Sequence, residues 1–440
     1  MKPNILYVFT DQQQSGAMSS SGNNNLETPA VDRLASEGLR FTRAYCAQAV
    51  CMPSRAAMQT GRWPHANGII VNHGSAEGSF DMALGYQSRG GARPLLAQTF
   101  GDAGYETAYF GRWHITLPTE RHDLHGYDSV WQHDADDDKI APDFQHFLES
   151  RSDKPFFAVV SICNPHDICR WPKDETMPNG PIANPPESLP SLPDNFEPMS
   201  DEPQVFREFQ NAQAQSYVAP AYEPHQWREY RWAYWRFVEK ADAIVGRVID
   251  ALDSRGLREN TTIVFASDHG EGAASHRWCQ KQALYEESVN VPFIIAPPLC
   301  KRAGQVDEHF VNAGVDLYPT LCELADIERP HWLHGRSVTP LLENDTVEEW
   351  PDYVVTEAEF HGGNDPFGAR GRMLRTERYK YAAFNRGEPD ELLIDLQEDP
   401  GEMQNLVNDP SYREILYEHR ERLREWCINF DDFFMPPKGK

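Results

Sequence analysis

The sequence predicts an α/β protein: a large, mostly parallel sheet flanked by helices, followed by a smaller C-terminal α+β domain. Three features lead to this reading. Apolar, β-rich runs stop abruptly at polar residues, helical segments alternate with those runs, and the pattern changes after about residue 345.

The first run, residues 4–10, ends in Asp11-Gln12-Gln13, as a buried strand does when its carboxyl end delivers polar groups to a site. A helix is expected to start at Pro29, a residue suited to a first turn, with Thr28 as its N-cap. Residues 106–110, 155–162, 262–266 and 291–296 read as further strands. Before the third of these, Phe237, Ala241, Ile244, Val245, Val248, Ile249 and Leu252 recur at spacings of three and four, the stripe of a helix packed on a core. In sheets of this class ligands gather at the carboxyl ends of the strands, so chemistry is sought there. Nine prolines between Pro172 and Pro203 exclude regular structure and predict a long surface excursion that could border a pocket.

Beyond residue 345 the strand candidates are short, at 353–356, 373–376, 379–382 and 391–394, and a helix is expected at 412–427. The chain therefore divides into a catalytic domain, 1–345, and a small antiparallel-sheet and helix subdomain, 346–440. The segment 353–372, with His361, Asn364 and Arg370, is a candidate to approach the pocket.

Composition narrows the function. With 440 residues, 40% hydrophobic and 25% charged, the chain can bury a sizeable core. A net charge of -26 argues against nucleic-acid and anionic-membrane partners, although an anionic small substrate remains open because screening confines each field to about 8–10 Å. The 8 cysteines show neither a CxxC pair nor a repeated spacing, which points to free, buried thiols. There is no apolar run long enough to span a bilayer. The opening Met1-Lys2-Pro3 precedes too short an apolar stretch for a signal peptide, so a cytoplasmic location is expected, or a periplasmic or secreted one had a signal peptide been removed.

A single cysteine such as Cys51 is usually a packed thiol. Its setting, Cys51-Met52-Pro53-Ser54-Arg55 followed by Ala56 to Arg62, resembles the signature of the formylglycine-dependent sulfatases of the alkaline phosphatase superfamily. The resemblance runs from Asn4-Ile5-Leu6 through Thr28-Pro29-Ala30-Val31-Asp32 to Asp399-Pro400-Gly401-Glu402. It implies a sulfatase-like fold and hydrolysis of a sulfate ester, commonly that of a sulfated carbohydrate. It further implies that Cys51 is oxidised to formylglycine by a formylglycine-generating enzyme.

The remaining site residues follow from the same resemblance. Asp11, Gln12, Asp268 and His269 match the metal ligands, with calcium as the family's usual ion and manganese as second choice for this softer set. Arg55, one helical turn after Cys51, matches the arginine that holds the hydrated aldehyde. Gly111-Arg112-Trp113-His114 looks like the family's Gly-Lys-Trp-His: Arg112 would bind sulfate, with arginine replacing lysine, and His114 would deprotonate the hydrate. His166 matches the histidine that contacts sulfate and helps protonate the leaving oxygen, Lys281 matches a catalytic lysine, and His276 is a candidate for the pocket wall. Two rivals stand beside this reading: a phosphonate monoester or phosphodiester hydrolase of the same superfamily, and a protein that binds sulfated glycans without cutting them. A conventional thiol hydrolase using Cys51 is a third.

Overall fold

The structure is a computed structural model describing residues 2–72, 93–115, 117–212, 221–344, 346–362 and 365–437. Its strands are, in chain order, β1 (Asn4–Asp11), β2 (Leu39–Phe41), β3 (Ala44–Tyr45), β4 (Glu106–Gly111), β5 (Ser129–Gln132), β6 (Phe156–Pro165) and β7 (Thr261–Ser267). They continue with β8 (Phe293–Ala296), β9 (Gln305–Asp307), β10 (Val311–Asn312), β11 (Tyr353–Gly362), β12 (Asp365–Thr376), β13 (Tyr379–Phe384) and β14 (Glu391–Asp395).

Eight strands form the central sheet in the order β5-β4-β6-β1-β7-β8-β2-β9. The stretch from β5 to β7 is parallel throughout. β8 runs antiparallel to both its neighbours, β7 and β2. It is followed by a four-stranded antiparallel sheet in the order β11-β12-β13-β14, against which the helix Arg413–Asn429 packs. The fold class is thus the expected one, with β8 as an antiparallel interruption.

Every residue of β1 is buried, because both faces of the sheet are covered. Side chains alternate between two cores: Tyr7 and Phe9 point into one, Leu6 and Val8 into the other, where they meet Ala241, Val245 and Val248 of the helix Pro224–Ser254. That helix carries the three-and-four stripe. The helix Pro29–Glu37 begins where expected, yet its cap comes from elsewhere. The Thr28 hydroxyl is turned to Ser19 and Asp32, and the free backbone N–H groups of Ala30 and Val31 donate to the Asp242 carboxylate at 3.1 and 2.8 Å.

The segment after Lys173 has no helix or strand until Gln204 and wraps over neighbouring elements: Leu189 and Pro190 carbonyls accept from Arg228. Among the described residues, no helix is long and apolar enough to cross a membrane.

Register places the chemistry. Thr10 pairs with Ile162 on one side and Ser267 on the other, and Gly111 pairs with Ser161, so the parallel strands β4, β6, β1 and β7 end together. At or just past those ends stand Arg112, His166, Asp11-Gln12 and Asp268-His269. Gly111 has φ +92°, and a Cβ there would lie 2.0 Å from the Ser161 carbonyl oxygen. No other residue allows the strands this approach before the chain turns to deliver Arg112.

Candidate active site

The helix Cys51–Thr60 points its N-terminus at this edge, with Cys51 in the first turn. All ten of its residues are buried. Cys51 Sγ lies 2.8 Å from Lys281 Nζ, 3.1 Å from His269 Nε2 and 3.6 Å from Asp11 Oδ1. Burial and Asp11 both push this thiol up. Lys281, His269 and a hydrogen bond with His114 outweigh them and hold it well below the usual thiol range.

Arg55, one turn on and 1% exposed, ties the two acids together. Its Nη2 donates to Asp11 Oδ2 at 2.7 Å and its Nε to Asp268 Oδ2 at 2.9 Å, while Nη1 donates to the Arg112 carbonyl and Ser161 Oγ, both at 2.9 Å. Arg112 Nη1 adds a second ion pair to Asp11 Oδ2 at 2.8 Å. Arg55 is therefore a buried bridge between carboxylates.

Each carboxylate thus has one oxygen engaged by guanidinium and another facing inward. His269 Nε2 lies 3.8 Å from Asp11 Oδ1 and 3.6 Å from Asp268 Oδ1. His269 Nδ1 lies 2.9 Å from the Gly270 carbonyl oxygen, so Nδ1 carries a proton and Nε2 is the nitrogen turned to the carboxylates, where Asp268 raises the ring's pKa in the metal-free site. The ligand atoms of Asp11, Cys51, Asp268 and His269 all fall within 4.8 Å of one another. Gln12, with φ +78°, donates through Nε2 to Glu271 Oε2 at 2.6 Å, which leaves Oε1 on the Lys281 side at 3.2 Å. Two carboxylate oxygens, an imidazole nitrogen and an amide oxygen suit a hard divalent cation.

Arg112 Nη2 donates to His114 Nδ1 at 3.2 Å. Burial, then Arg112, lowers the His114 pKa, so the ring is neutral at pH 7. His166 follows β6 and is partly exposed; burial and Arg112 hold its pKa well down, against the pull of Asp11. Lys281 is 7% exposed, and the Cys51 thiolate and Asp11 keep it charged despite burial. Cys169 touches the Gln12 amide, but burial pushes its thiol up to about 12, so it is no nucleophile at neutral pH.

The fold therefore gathers Asp11, Gln12, Cys51, Arg55, Arg112, His114, His166, Asp268, His269 and Lys281 into one cluster. His276 is not part of it. It is fully buried, stacked on Tyr285 at 3.8 Å and 3.3 Å from Asn195 Nδ2, among Glu287 and Glu402. The reason is its backbone: φ is +54° at His276 and +52° at Arg277, a turn that sends the ring towards the C-terminal segment. Asn364 and the His361 side chain lie outside the described residues. Arg370 is described, but on a different cleft.

Three supporting residues had not been assigned from sequence. Glu271, within the Asp268-His269-Gly270-Glu271 run, orients Gln12 and is itself held by Tyr230, 2.8 Å away, and by the Gln280 amide at 2.6 Å. Ser161 receives Arg55. Asp137 accepts from the backbone amides of Cys163 and Asn164 at 2.8 and 2.9 Å, fixing the strand end before His166. Glu271 had a signal in its motif, whereas Asp137 meets Cys163 only through the fold.

A family model described as Sulfatase matches residues 3–327, and one described as N-sulphoglucosamine sulphohydrolase, C-terminal, matches residues 274–428. The chain is 32% identical to a Delta 4,5-hexuronate-2-O-sulfatase of Bacteroides thetaiotaomicron, over 98% of this chain and 90% of that one. It is 30% identical to an ulvan-active sulfatase of Formosa agariphila, over 98% and 82%. Among solved structures, a 2-O GAG sulfatase superposes with a TM-score of 0.85 at 29% identity, covering 98% of this chain and 93% of that one.

Proposed function

Because the chain belongs to the sulfatase family and is a sulfuric ester hydrolase, we propose that its substrate is a sulfated carbohydrate and its nucleophile a formylglycine made from Cys51. The observation that carries this is the packing of Lys281, His269 and His114 around the Cys51 sulfur at a buried helix N-terminus. The carbohydrate assignment is supported by relatives whose names specify hexuronate, ulvan and GAG substrates.

Maturation removes the Cys51 sulfur as sulfide and oxidises Cβ to an aldehyde, the electrons passing to an oxidant supplied by the formylglycine-generating enzyme. Addition of water gives a geminal diol. Asp11, Gln12, Asp268 and His269 would hold a divalent ion, calcium first and manganese second. When bound, that ion lowers the pKa of a nearby hydroxyl and draws charge from sulfate oxygens.

The chain's own groups do the rest. Arg112 and Lys281 orient the sulfate and offset its charge, and Arg55 fixes the acids behind the diol. One diol hydroxyl gives its proton to water, its oxygen attacks sulfur, and the S–O bond to the sugar breaks. Lys281 supplies a proton to the leaving oxygen, with the neutral His166 donating an N–H hydrogen bond to it. His114, neutral at working pH, takes the proton of the second hydroxyl; the aldehyde re-forms, and the C–O bond to sulfate breaks.

The test pairs mass spectrometry of the Cys51 peptide with sulfate release. Co-expression with a formylglycine-generating enzyme should lower the peptide mass and confer activity on sulfated sugars. Higher kcat/KM on phosphonate monoesters than on sulfate esters would overturn the substrate assignment. An unconverted but active protein would overturn the nucleophile.

A further inference from the structure

Lys281 stands in a segment whose backbone is strained. Of the 14 non-glycine residues with positive φ among the described residues, 6 fall within one short run: Ala273, Ala274, His276, Arg277, Gln280 and Gln282. The last two flank Lys281, at +65° and +79°. A Cβ makes this region of backbone costly, so such a run persists only where its surroundings hold it.

Two anchors belong to the site already described. Glu271 accepts from the Ala273 and Gln280 amides at 3.1 and 2.6 Å, and the Gln282 amide donates to the Ala49 carbonyl at 3.1 Å. A third comes from outside it. The helix Gln204–Ala212 packs on the segment through Phe206 and Phe209, whose rings meet Trp278. Its polar side chains take the carbonyls of two consecutive strained residues: Arg207 Nη2 donates to His276 at 2.7 Å, and Gln210 Nε2 donates to Arg277 at 2.9 Å. Arg207 Nη1 donates to Gln210 Oε1 at 2.6 Å, which turns the Gln210 nitrogen towards Arg277.

The grip closes on both sides of Lys281. Glu202 holds Arg207 at two points, Oε2 with Nε at 2.6 Å and Oε1 with Nη2 at 3.0 Å. Glu202 also accepts from the Tyr285 hydroxyl, and the Tyr285 ring stacks on His276 at 3.8 Å. Arg207, His276, Tyr285 and Glu202 thus form a closed circuit of contacts, with His276 before Lys281 in the chain and Tyr285 after it. Within that span the Trp278 indole N–H donates to the Lys281 carbonyl at 3.1 Å, so a shift beside His276 is passed to the lysine backbone. Lys281 Nζ sits 2.8 Å from the Cys51 sulfur and 3.2 Å from Gln12 Oε1, and small displacements change what it touches. The Phe206 ring also meets Phe360 of β11 and Phe384 of β13, at 5.8 and 5.4 Å between centroids, so the C-terminal sheet backs the clamp.

We propose that Arg207, held by Glu202, is a positioning residue for Lys281: it fixes the strained segment so that the ammonium meets the leaving oxygen of the sulfate ester. The proposal rests on the reading of Lys281 as the proton donor in that step. When the S–O bond breaks, its electron pair stays on the alcohol oxygen, which takes a proton from the ammonium. Loss of the clamp therefore slows esters whose alcohol is a poor leaving group, and hardly touches 4-nitrophenyl sulfate, whose anion leaves without a proton.

The test is the dependence of kcat/KM on the leaving group, since this ratio reports S–O cleavage and not the later release of sulfate. Matured wild type, Arg207→Ala, Arg207→Lys, Gln210→Ala and Lys281→Ala are assayed on 4-nitrophenyl sulfate, phenyl sulfate and a 2-sulfated hexuronate disaccharide. Leu423→Ala opens a cavity beneath the helix Arg413–Asn429, among residues outside the clamp, and controls for lost stability. Arg207→Ala should lose roughly 10- to 100-fold on the disaccharide but less than about threefold on 4-nitrophenyl sulfate, the pattern of Lys281→Ala at smaller amplitude. Arg207→Lys keeps the charge without the fork and should fall between Arg207→Ala and wild type. Equal losses on all three esters, or a Leu423→Ala pattern as steep as that of Arg207→Ala, would leave Arg207 a merely structural residue and overturn the inference. A steep pattern in Lys281→Ala beside wild-type behaviour in Arg207→Ala and Gln210→Ala would overturn it while keeping Lys281 as the donor. Equal losses in Lys281→Ala would instead remove Lys281 from proton donation, a failure of the functional reading that takes the inference with it. Should Arg207→Ala fold poorly, Gln210→Ala, which loses one bond to the segment, decides.

Discussion

Glu271 Oε2 lies 2.6 Å from Gln12 Nε2, and this one hydrogen bond determines which end of the Gln12 amide faces the catalytic cluster. A carboxylate can only accept, so the amide nitrogen must turn towards it and the oxygen away. Replacement of Glu271 by glutamine removes that constraint. Affinity for calcium or manganese should fall about 10- to 100-fold, as for other groups that orient metal ligands, with activity restored by excess ion. Titration against a competing chelator reads the loss directly; unchanged affinity would mean that Gln12 is not a ligand or does not need orienting.

Arg55 is 1% exposed and paired with both Asp11 and Asp268. Arg55→Ala leaves Asp268 without a guanidinium partner in a dry site and Asp11 with Arg112 alone, and should cost about 3–5 kcal/mol in urea unfolding of the metal-free protein. Arg55→Lys should recover only part of this, since a single ammonium cannot reproduce the fork that reaches both acids and Ser161. Added divalent cation should stabilise the alanine variant.

His114 must be neutral to act as a base, and burial together with Arg112 lowers its pKa from 6.5. The acid limb of the kcat profile should therefore have its midpoint below pH 6.5. A midpoint above 6.5, or a limb that persists in His114→Gln, would remove His114 from this role.

His276 has its pKa pushed down by burial to about 4. The unfolded chain takes up this proton below about 6.5, the folded chain only below about 4, so acidification through that window favours unfolding. The effect amounts to roughly 3 kcal/mol in all, at about 1.4 kcal/mol per pH unit. Glu402, pushed up to about 7 by burial, acts with the opposite sign, its stabilising proton being lost as pH rises. The measurable quantity is therefore the difference in unfolding free energy between wild type and His276→Phe. It should shrink between pH 6.5 and 4, and a flat difference would refute the assignment.

Much of this protein is legible in its sequence because local rules fix it. Alternating apolar runs identified the strands, the three-and-four stripe identified the helix Pro224–Ser254, and short motifs at strand ends brought out Asp11, Arg112, His166, Asp268 and His269. Parallel register then brought them together, since adjacent strands that end level must present their next residues to one space. Other features depend on partners far apart in the chain. The cap of the helix Pro29–Glu37 comes from Asp242, and Asp137 holds the strand end before His166. Two residues with positive φ turn His276 away from Cys51, a conformation that no spacing in the motif announces. The sequence by itself, through motifs that resemble a family's, nominated the residues now found clustered at the strand ends, because residue type and spacing are local properties. Only the tertiary structure decided that Glu271 orients Gln12, that Arg55 bridges two acids, and that Arg207 meets the carbonyl of His276. Hydrogen bonds and ion pairs between residues tens to hundreds of positions apart exist only once the backbone has closed around them.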